Sequence, residues 1–204
     1  MFNFQHFIKI FNKNNHWKNC MLTGGNSASM FYKKISLNNR IMQSLQKFKI
    51  YLGDERCVSI FDKNSNYTHI CNKLFSKSVL HKYNLNKMYY GNSSLDAVRY
   101  EKLLPNSIDL LLLSIGDDGH IASLFPHSPA LKEKNRSVVT VFAPFPPYER
   151  LSITSKVIKN AKEVIVLALT PQKYKMYMEA KKNPNDIDSL PARLVLDRHW
   201  IFKL

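Results

Sequence analysis

Ile108-Asp109-Leu110-Leu111-Leu112-Leu113-Ser114-Ile115-Gly116-Asp117-Asp118-Gly119-His120-Ile121-Ala122-Ser123-Leu124-Phe125-Pro126 opens with a near-continuous apolar run of strand length and breaks at Gly116. Two carboxylates, a glycine and a histidine then follow one another. An apolar run bounded by a turn reads as a fully buried parallel strand, and open α/β sheets place their chemistry at the C-terminal ends of such strands. Gly116 and Gly119 allow a tight turn and close approach of the backbone to a ligand. His120 is expected in the first turn of a following helix, with Asp117 and Asp118 near enough to orient or charge it. A strand-to-helix turn with an Asp cap and a surface histidine is the plainer alternative.

Working outward, strands alternate with helices. Phe4, Phe7, Ile8 and Phe11 have helical spacing, giving a helix over 6–14. Lys18 to Thr23 is a short strand that ends in Gly24-Gly25-Asn26-Ser27, with a helix over 29–35. A strand, a glycine-rich turn and a helix N-terminus make an anion site from free N–H groups and the helix dipole. Phe48 to Leu52 is the next strand, and Gly53-Asp54-Glu55-Arg56 follows it as a charged loop. There Asp54 and Glu55 are candidates for acid/base work and Arg56 for a phosphate.

Ser65 to Leu80 reads as a helix, with His69 a surface or satisfied histidine. Lys87 to Gly91 reads as a short strand, and Ser94 as the cap of a helix through Leu104. After the central block, Ser137 to Phe142 and Arg150 to Thr154 read as strands around the rigid Ala143-Pro144-Phe145-Pro146-Pro147 loop. Val157 to Lys162 is a short helix or turn and Glu163 to Leu169 a second buried strand. Pro171 suits helix position N1, with the helix continuing over 173–181. Pro191 to Leu196 is a turn and His199 to Lys203 a closing strand. The alternation predicts an α/β fold, a single domain with a mainly parallel central sheet flanked by helices.

Composition narrows the class. The chain has 204 residues, with 45% of them hydrophobic, suited to one domain with a sizeable core. No apolar run approaches the roughly 18 residues of a bilayer span, so no membrane association is expected. Residues 1–53 contain no Asp or Glu, as a basic transit peptide would, but they run straight into the first core strand. Cys20, Cys57 and Cys71 are unpaired in spacing, which points to reduced thiols in a cytoplasmic protein and away from a disulfide framework or zinc cluster. The net charge of +15 is spread along the chain without a nucleic-acid-binding motif. A small anionic substrate accounts for it better than a specific nucleic-acid partner.

Taken in order, Thr23-Gly24-Gly25-Asn26-Ser27, Gly53-Asp54-Glu55-Arg56-Cys57-Val58, Ser65-Asn66-Tyr67, the Ile108–Pro126 block and Pro146-Pro147-Tyr148-Glu149-Arg150-Leu151-Ser152-Ile153-Thr154 resemble the 6-phosphogluconolactonase family over about residues 20–175. The resemblance implies a modified Rossmann-like, NagB-type sheet and hydrolysis of 6-phospho-D-glucono-1,5-lactone to 6-phosphogluconate, a step of the oxidative pentose phosphate pathway. It implies no metal or organic cofactor. His120 becomes the expected general base, with Asp118 fixing its tautomer. Gly24, Gly25, Asn26, Ser27, Asp54, Arg56, Gly116, Arg150 and Lys173 are the expected substrate contacts. Arg56 and Arg150 are the phosphate candidates, and N–H groups near Gly116 or Gly25 the oxyanion candidates. A monomer or weak homodimer is expected.

The chain departs from the family pattern in places. Thr23, Asn26, Ser27 and Ala28 vary a loop usually written Ser-Gly-Gly-Ser-Thr-Pro. Ser114 and Ile115 stand for Gly-Met, Ile121 for Thr, and His127 for Gly. Lys173 and Lys175 both compete for the role of the phosphate-binding lysine that the family places in a late Gly-x-x-Lys turn. The N-terminus is shorter than usual. Related glucosamine-6-phosphate isomerase/deaminases share Asp-Gly-His but carry an Asn-Glu-Pro triplet where this chain has Leu124-Phe125-Pro126, and Asp-Glu-Tyr where it has Asp54-Glu55-Arg56. Phe125 therefore favours the lactonase. A sugar-phosphate- or nucleic-acid-binding protein that keeps the fold without turnover is the further alternative.

Overall fold

The apolar runs become strands and the amphipathic segments cover them. In the computed structural model, which describes residues 3–75 and 77–204 (backbone alone for 77–79), the chain begins with α1 (Phe4–Lys13), β1 (Asn19–Leu22), α2 (Asn26–Ile35) and α3 (Asn39–Leu45). Next come β2 (Lys49–Leu52), β3 (Asp54–Arg56), α4 (Asn66–Lys73), β4 (Asn84–Leu85) and α5 (Ser93–Leu103). β5 (Leu110–Ser114), β6 (Val138–Phe142), β7 (Glu149–Ile153), α6 (Ser155–Asn160), β8 (Glu163–Leu167), α7 (Pro171–Lys182) and β9 (His199–Ile201) complete it.

Six strands form one parallel sheet in the order β4-β2-β1-β5-β8-β9. The chain builds outward from β1 to one edge, then returns to β5 and builds to the other. The reversal lies between β1 and β5, and in such sheets the crevice beyond the strand ends at this point is where ligands bind. Leu110 to Leu113 are all buried, as strands covered on both faces must be. α1 closes the N-terminal side through Phe7 and Phe11, which pack on Phe31, Trp17 and Phe48. Among the described residues no helix is long and apolar enough to cross a membrane.

A second, antiparallel sheet of three strands, β3-β7-β6, stands beside the first. Here the structure corrects the reading of residues 54–56 as a loop. Three charged residues show no apolar alternation, yet they pair with β7 in the register Asp54↔Ser152, Glu55↔Leu151, Arg56↔Arg150. Other boundaries move too. α2 begins at Asn26, α4 ends at Lys73 short of Leu80, and residue 76 lies outside the described residues. The strand beside β2 is Asn84–Leu85, and 87–91 is irregular. α5 is capped by Asn92, whose side chain accepts from the Leu95 N–H, in place of Ser94. α3, which buries Ile41 and Leu45 one turn apart, is a further helix beyond those read from the sequence.

The N-terminal ends of three central strands are tied by one carboxylate. Asp109 Oδ2 accepts the N–H groups of Lys18 at 2.9 Å and Asn19 at 3.2 Å, and its Oδ1 meets Lys162 Nζ at 2.6 Å. Burial pushes this carboxyl up, but the Lys162 ammonium and the two N–H groups outweigh it and hold the pKa below its ordinary value. We expect Asp109→Ala to cost about 1–3 kcal/mol at neutral pH by orphaning these donors, measurable by urea unfolding. A depressed carboxyl stabilises above its unfolded-state pKa and ceases to do so as pH falls through its folded value. The gap between parent and variant should therefore shrink on acidification, and a gap that widens would contradict this role.

Candidate active site

β5 ends in a turn, not in the helix expected after Gly116. Ile115 bridges to Ile121 and Ile121 to Leu124, and the segment between is a closed loop. Its Gly116 N–H donates to His120 O at 2.8 Å and its Gly119 N–H to Gly116 O at 3.1 Å. Gly116 lies directly against the imidazole: a Cβ there would fall 2.1 Å from His120 Nδ1 and 2.7 Å from Asp118 Oδ1. Gly119 has φ +82° and sits against Leu190, so it tolerates no side chain on either count. Gly116 is thus a steric requirement. Its N–H is committed to His120 O, which removes it from the oxyanion candidates.

Within this loop His120 Nδ1 is 2.5 Å from Asp118 Oδ1, which also accepts the His120 backbone N–H at 3.1 Å. Burial raises the Asp118 pKa, but the hydrogen bonds and charge of His120 reverse this and hold it below the ordinary value. An ionised Asp118 keeps the proton on Nδ1 and leaves Nε2 as the basic nitrogen. Asp117 is exposed and is not the partner of the imidazole. The ring of His120 rests 4.6 Å from Phe125 and 6.2 Å from Phe145, centre to centre.

The second wall comes from the antiparallel sheet. Strand alternation turns Asp54 and Arg56 to one face and Glu55 to the other. On the cleft face Arg56 stands directly opposite Arg150. Arg150 is only 2% exposed, and its Nε donates to Pro147 O at 3.0 Å. Its guanidinium carbon lies 5.2 Å from the Phe125 ring centre and 5.0 Å from that of Phe145. Burial and the adjacent Arg56 lower its pKa, while Asp54 and Asp118 oppose them. Arg56 Nη1 donates to Asn64 O at 2.6 Å.

The two acidic neighbours of Arg56 are already committed. Asp54 accepts from Asn66 Nδ2 at 3.0 Å and from the Ser123 hydroxyl at 2.7 Å, tying the His120 loop to the second sheet. Glu55, on the opposite face, accepts the N–H groups of Arg56, Asn66 and Tyr67 and the Ser65 hydroxyl, so it caps α4. Burial pushes Glu55 up to about 7 against those donors. Glu55 is buried away from the cleft and does not line it, so the structure does not bring this acid/base candidate to the site.

The third wall is the Gly24–Ser27 turn with α7. Gly25 caps α2 at φ +91° with no side-chain bond, and it lines the cleft together with Asn26, the first residue of that helix. Gly24 lies on Asn66, whose Oδ1 would be 1.8 Å from an added Cβ. Across the mouth Lys173 Nζ meets Ser27 Oγ at 3.1 Å and Ser114 Oγ at 2.9 Å. Burial lowers its pKa and Asp117 raises it. Lys175 does not line the cleft. His69, outside the cleft, is satisfied by Ser29 Oγ at 2.7 Å.

These walls enclose about 580 Å³, lined by His120, Asp118, Gly24, Gly25, Asn26, Asp54, Arg56, Gly116, Arg150 and Lys173, while Ser27 borders it through Lys173 and Glu55 and Lys175 stay outside it. Sequence reasoning passed over Phe145, taken as part of a rigid loop, and Asn66, noted in a motif without a role. Ser65, an obvious N-cap, was the available signal for Asn66. Among the described residues no group of three or more His, Cys, Asp or Glu side chains is placed to hold a metal ion.

A family model described as glucosamine-6-phosphate isomerases/6-phosphogluconolactonase matches residues 5–202. The chain is 33% identical over 190 residues to 6-phosphogluconolactonase 3 of Saccharomyces cerevisiae, covering 85% of this chain and 75% of that one. It is 28% identical over 204 residues to a 6-phosphogluconolactonase of Haemophilus influenzae, covering 97% and 87%. The crystal structure of a 6-phosphogluconolactonase from Shewanella baltica superimposes with a TM-score of 0.82 at 19% identity over 96% of this chain and 87% of that one, a likeness of fold. With that span of match, the chain belongs to the glucosamine-6-phosphate isomerase/6-phosphogluconolactonase family.

Proposed function

We propose that this chain is a 6-phosphogluconolactonase that hydrolyses 6-phospho-D-glucono-1,5-lactone to 6-phosphogluconate in the oxidative pentose phosphate pathway. The observation that carries this reading is the His120–Asp118 pair, which faces a cleft bounded by Arg56, Arg150 and Lys173. A deaminase would need a further carboxylate close to the histidine, and the position that would supply it is Phe125, buried against His120 and Arg150. Kinship with the yeast lactonase supports the same choice.

In this mechanism His120 Nε2 takes a proton from water as its oxygen bonds to the lactone carbonyl carbon. The developing oxyanion is received by N–H groups at the start of α2, with the Lys173 ammonium on the same wall. Collapse breaks the bond to the ring oxygen, and the imidazolium returns its proton there. Asp118 holds the ring and stabilises its charged form without itself changing protonation. Arg56 and Arg150 take the 6-phosphate through guanidinium forks. Gly24, Gly25, Asn26 and Ser27 line the sugar, Asp54 fixes the loop and the second sheet, and Gly116 leaves room for the imidazole. The enzyme works in the cytosol, as the free thiols of Cys20, Cys57 and Cys71 support, and as a monomer or weak homodimer.

Hydrolysis of freshly made lactone should exceed the spontaneous rate, and His120→Ala should lose about 100- to 10,000-fold of the acceleration. A parent that matches the spontaneous rate, or a variant that matches the parent, removes the assignment.

Arg150→Ala should raise KM with a smaller fall in kcat, because phosphate is held alike in ground and transition states. Lys173→Ala should mainly lower kcat. If steady-state kinetics give the reverse pattern, the phosphate and oxyanion walls must be exchanged.

A further inference from the structure

The cleft contains one large apolar surface that the mechanism above does not use. Phe145 is 42% exposed and lines a space whose other side chains are mostly polar or charged. Its loop is tied at the base, where the Ala143 N–H donates to Tyr148 O at 2.6 Å, and prolines at 144, 146 and 147 restrict it further. Part of the ring is in use: it meets Phe125 edge-to-face at 5.5 Å and 89°, and the Arg150 guanidinium at 5.0 Å. The remaining surface opens beside His120, at 6.2 Å.

An exposed aromatic held in a water-filled polar cleft is costly unless a ligand covers it. Hydroxyl groups and phosphate cannot do so favourably. A six-membered sugar ring can, because its C–H groups form a contiguous apolar face. The hydrolysed product has no such face, since opening the ring turns it into a flexible chain.

Resting on the lactonase reading, we propose that Phe145 is a ring-recognition residue: its exposed face packs on the C–H face of the closed sugar ring and discriminates cyclic substrate from acyclic product. Position 145 thus favours the intact lactone at the imidazole and loses its grip as the ring opens. This contact is separate from the phosphate hold, which belongs to the arginines.

Calorimetric binding of two ligands with the same phosphate and similar hydroxyls tests this: glucose 6-phosphate, which is cyclic, and glucitol 6-phosphate, which is not. Phe145→Ala should weaken the cyclic ligand about tenfold and the acyclic one by less than twofold. Phe145→Tyr should restore the parent preference, which guards against a fold defect in the alanine variant. Equal weakening of both ligands means that the ring only props Arg150, and overturns the proposal, as does no change in either. Turnover of the lactone by the parent is measured separately. If the parent binds with the expected preference but does not hydrolyse, the lactonase reading falls while the recognition role of Phe145 stands.

Discussion

The absence of a side chain at Gly116 is the constraint on which the site depends. The imidazole of His120 occupies the volume a Cβ would need, so the ring can fold back onto the end of its own strand. The Gly116 N–H bond to His120 O then fixes the loop at both ends. Because β5 lies between β1 and β8, that end is as rigid as the sheet. The histidine inherits the position of a buried strand although it sits on a loop. Asp118 completes the arrangement from within the same turn, and no distant element has to be ordered for the pair to form.

The cationic wall is built on a different principle. Placing Arg56 opposite Arg150 in an antiparallel register sets like charges side by side, which is unfavourable unless something offsets it. Asp54 and Asp118 supply opposing charge, and two aromatic rings carry the Arg150 guanidinium. The pleat of β3 sends Glu55 the other way, into the start of α4. One short strand thus contributes a cation to the cleft, a carboxylate to the loop anchor and a second carboxylate to a helix cap.

This explains which parts were legible from sequence. The runs at 110–113 and 163–167, the glycine turn after β1 and the proline start of α7 each follow from local chemistry, and each formed as read. His120 and Arg56 stand out by residue type at strand ends, Arg150 follows from the family resemblance, and the fold gathers all three into one cleft. β3 was hidden because its charges are satisfied by partners far along the chain, such as Ser123 for Asp54 and Asn66 and Tyr67 for Glu55. Local pattern cannot register such compensation. The expected helix after Gly116 failed for a related reason: the bridges through Ile121 bury that residue, and Ala122 and His127 take left-handed backbone conformations that a helix does not contain. Phe145 was overlooked because a proline-rich loop reads as a spacer until its neighbours are known.

Phe125 connects the two halves of the site in a way that bears on its chemistry. It lies 2% exposed, in a small apolar cluster with Val141 and Ala143, between His120 and Arg150. A carboxylate at this position would be buried against both groups and would be driven to pair with them. Arg150 would then be neutralised from within the protein, and the imidazole would gain a second acidic neighbour besides Asp118. With a ring there instead, the guanidinium is oriented by π faces and the Pro147 carbonyl, and among the described residues no carboxylate is hydrogen-bonded to it. Its charge stays available to an incoming anion, and His120 keeps one carboxylate partner. On the proposed reading, one apolar side chain therefore does two things: it withholds the extra carboxylate that deamination would require, and it keeps an arginine in position for phosphate.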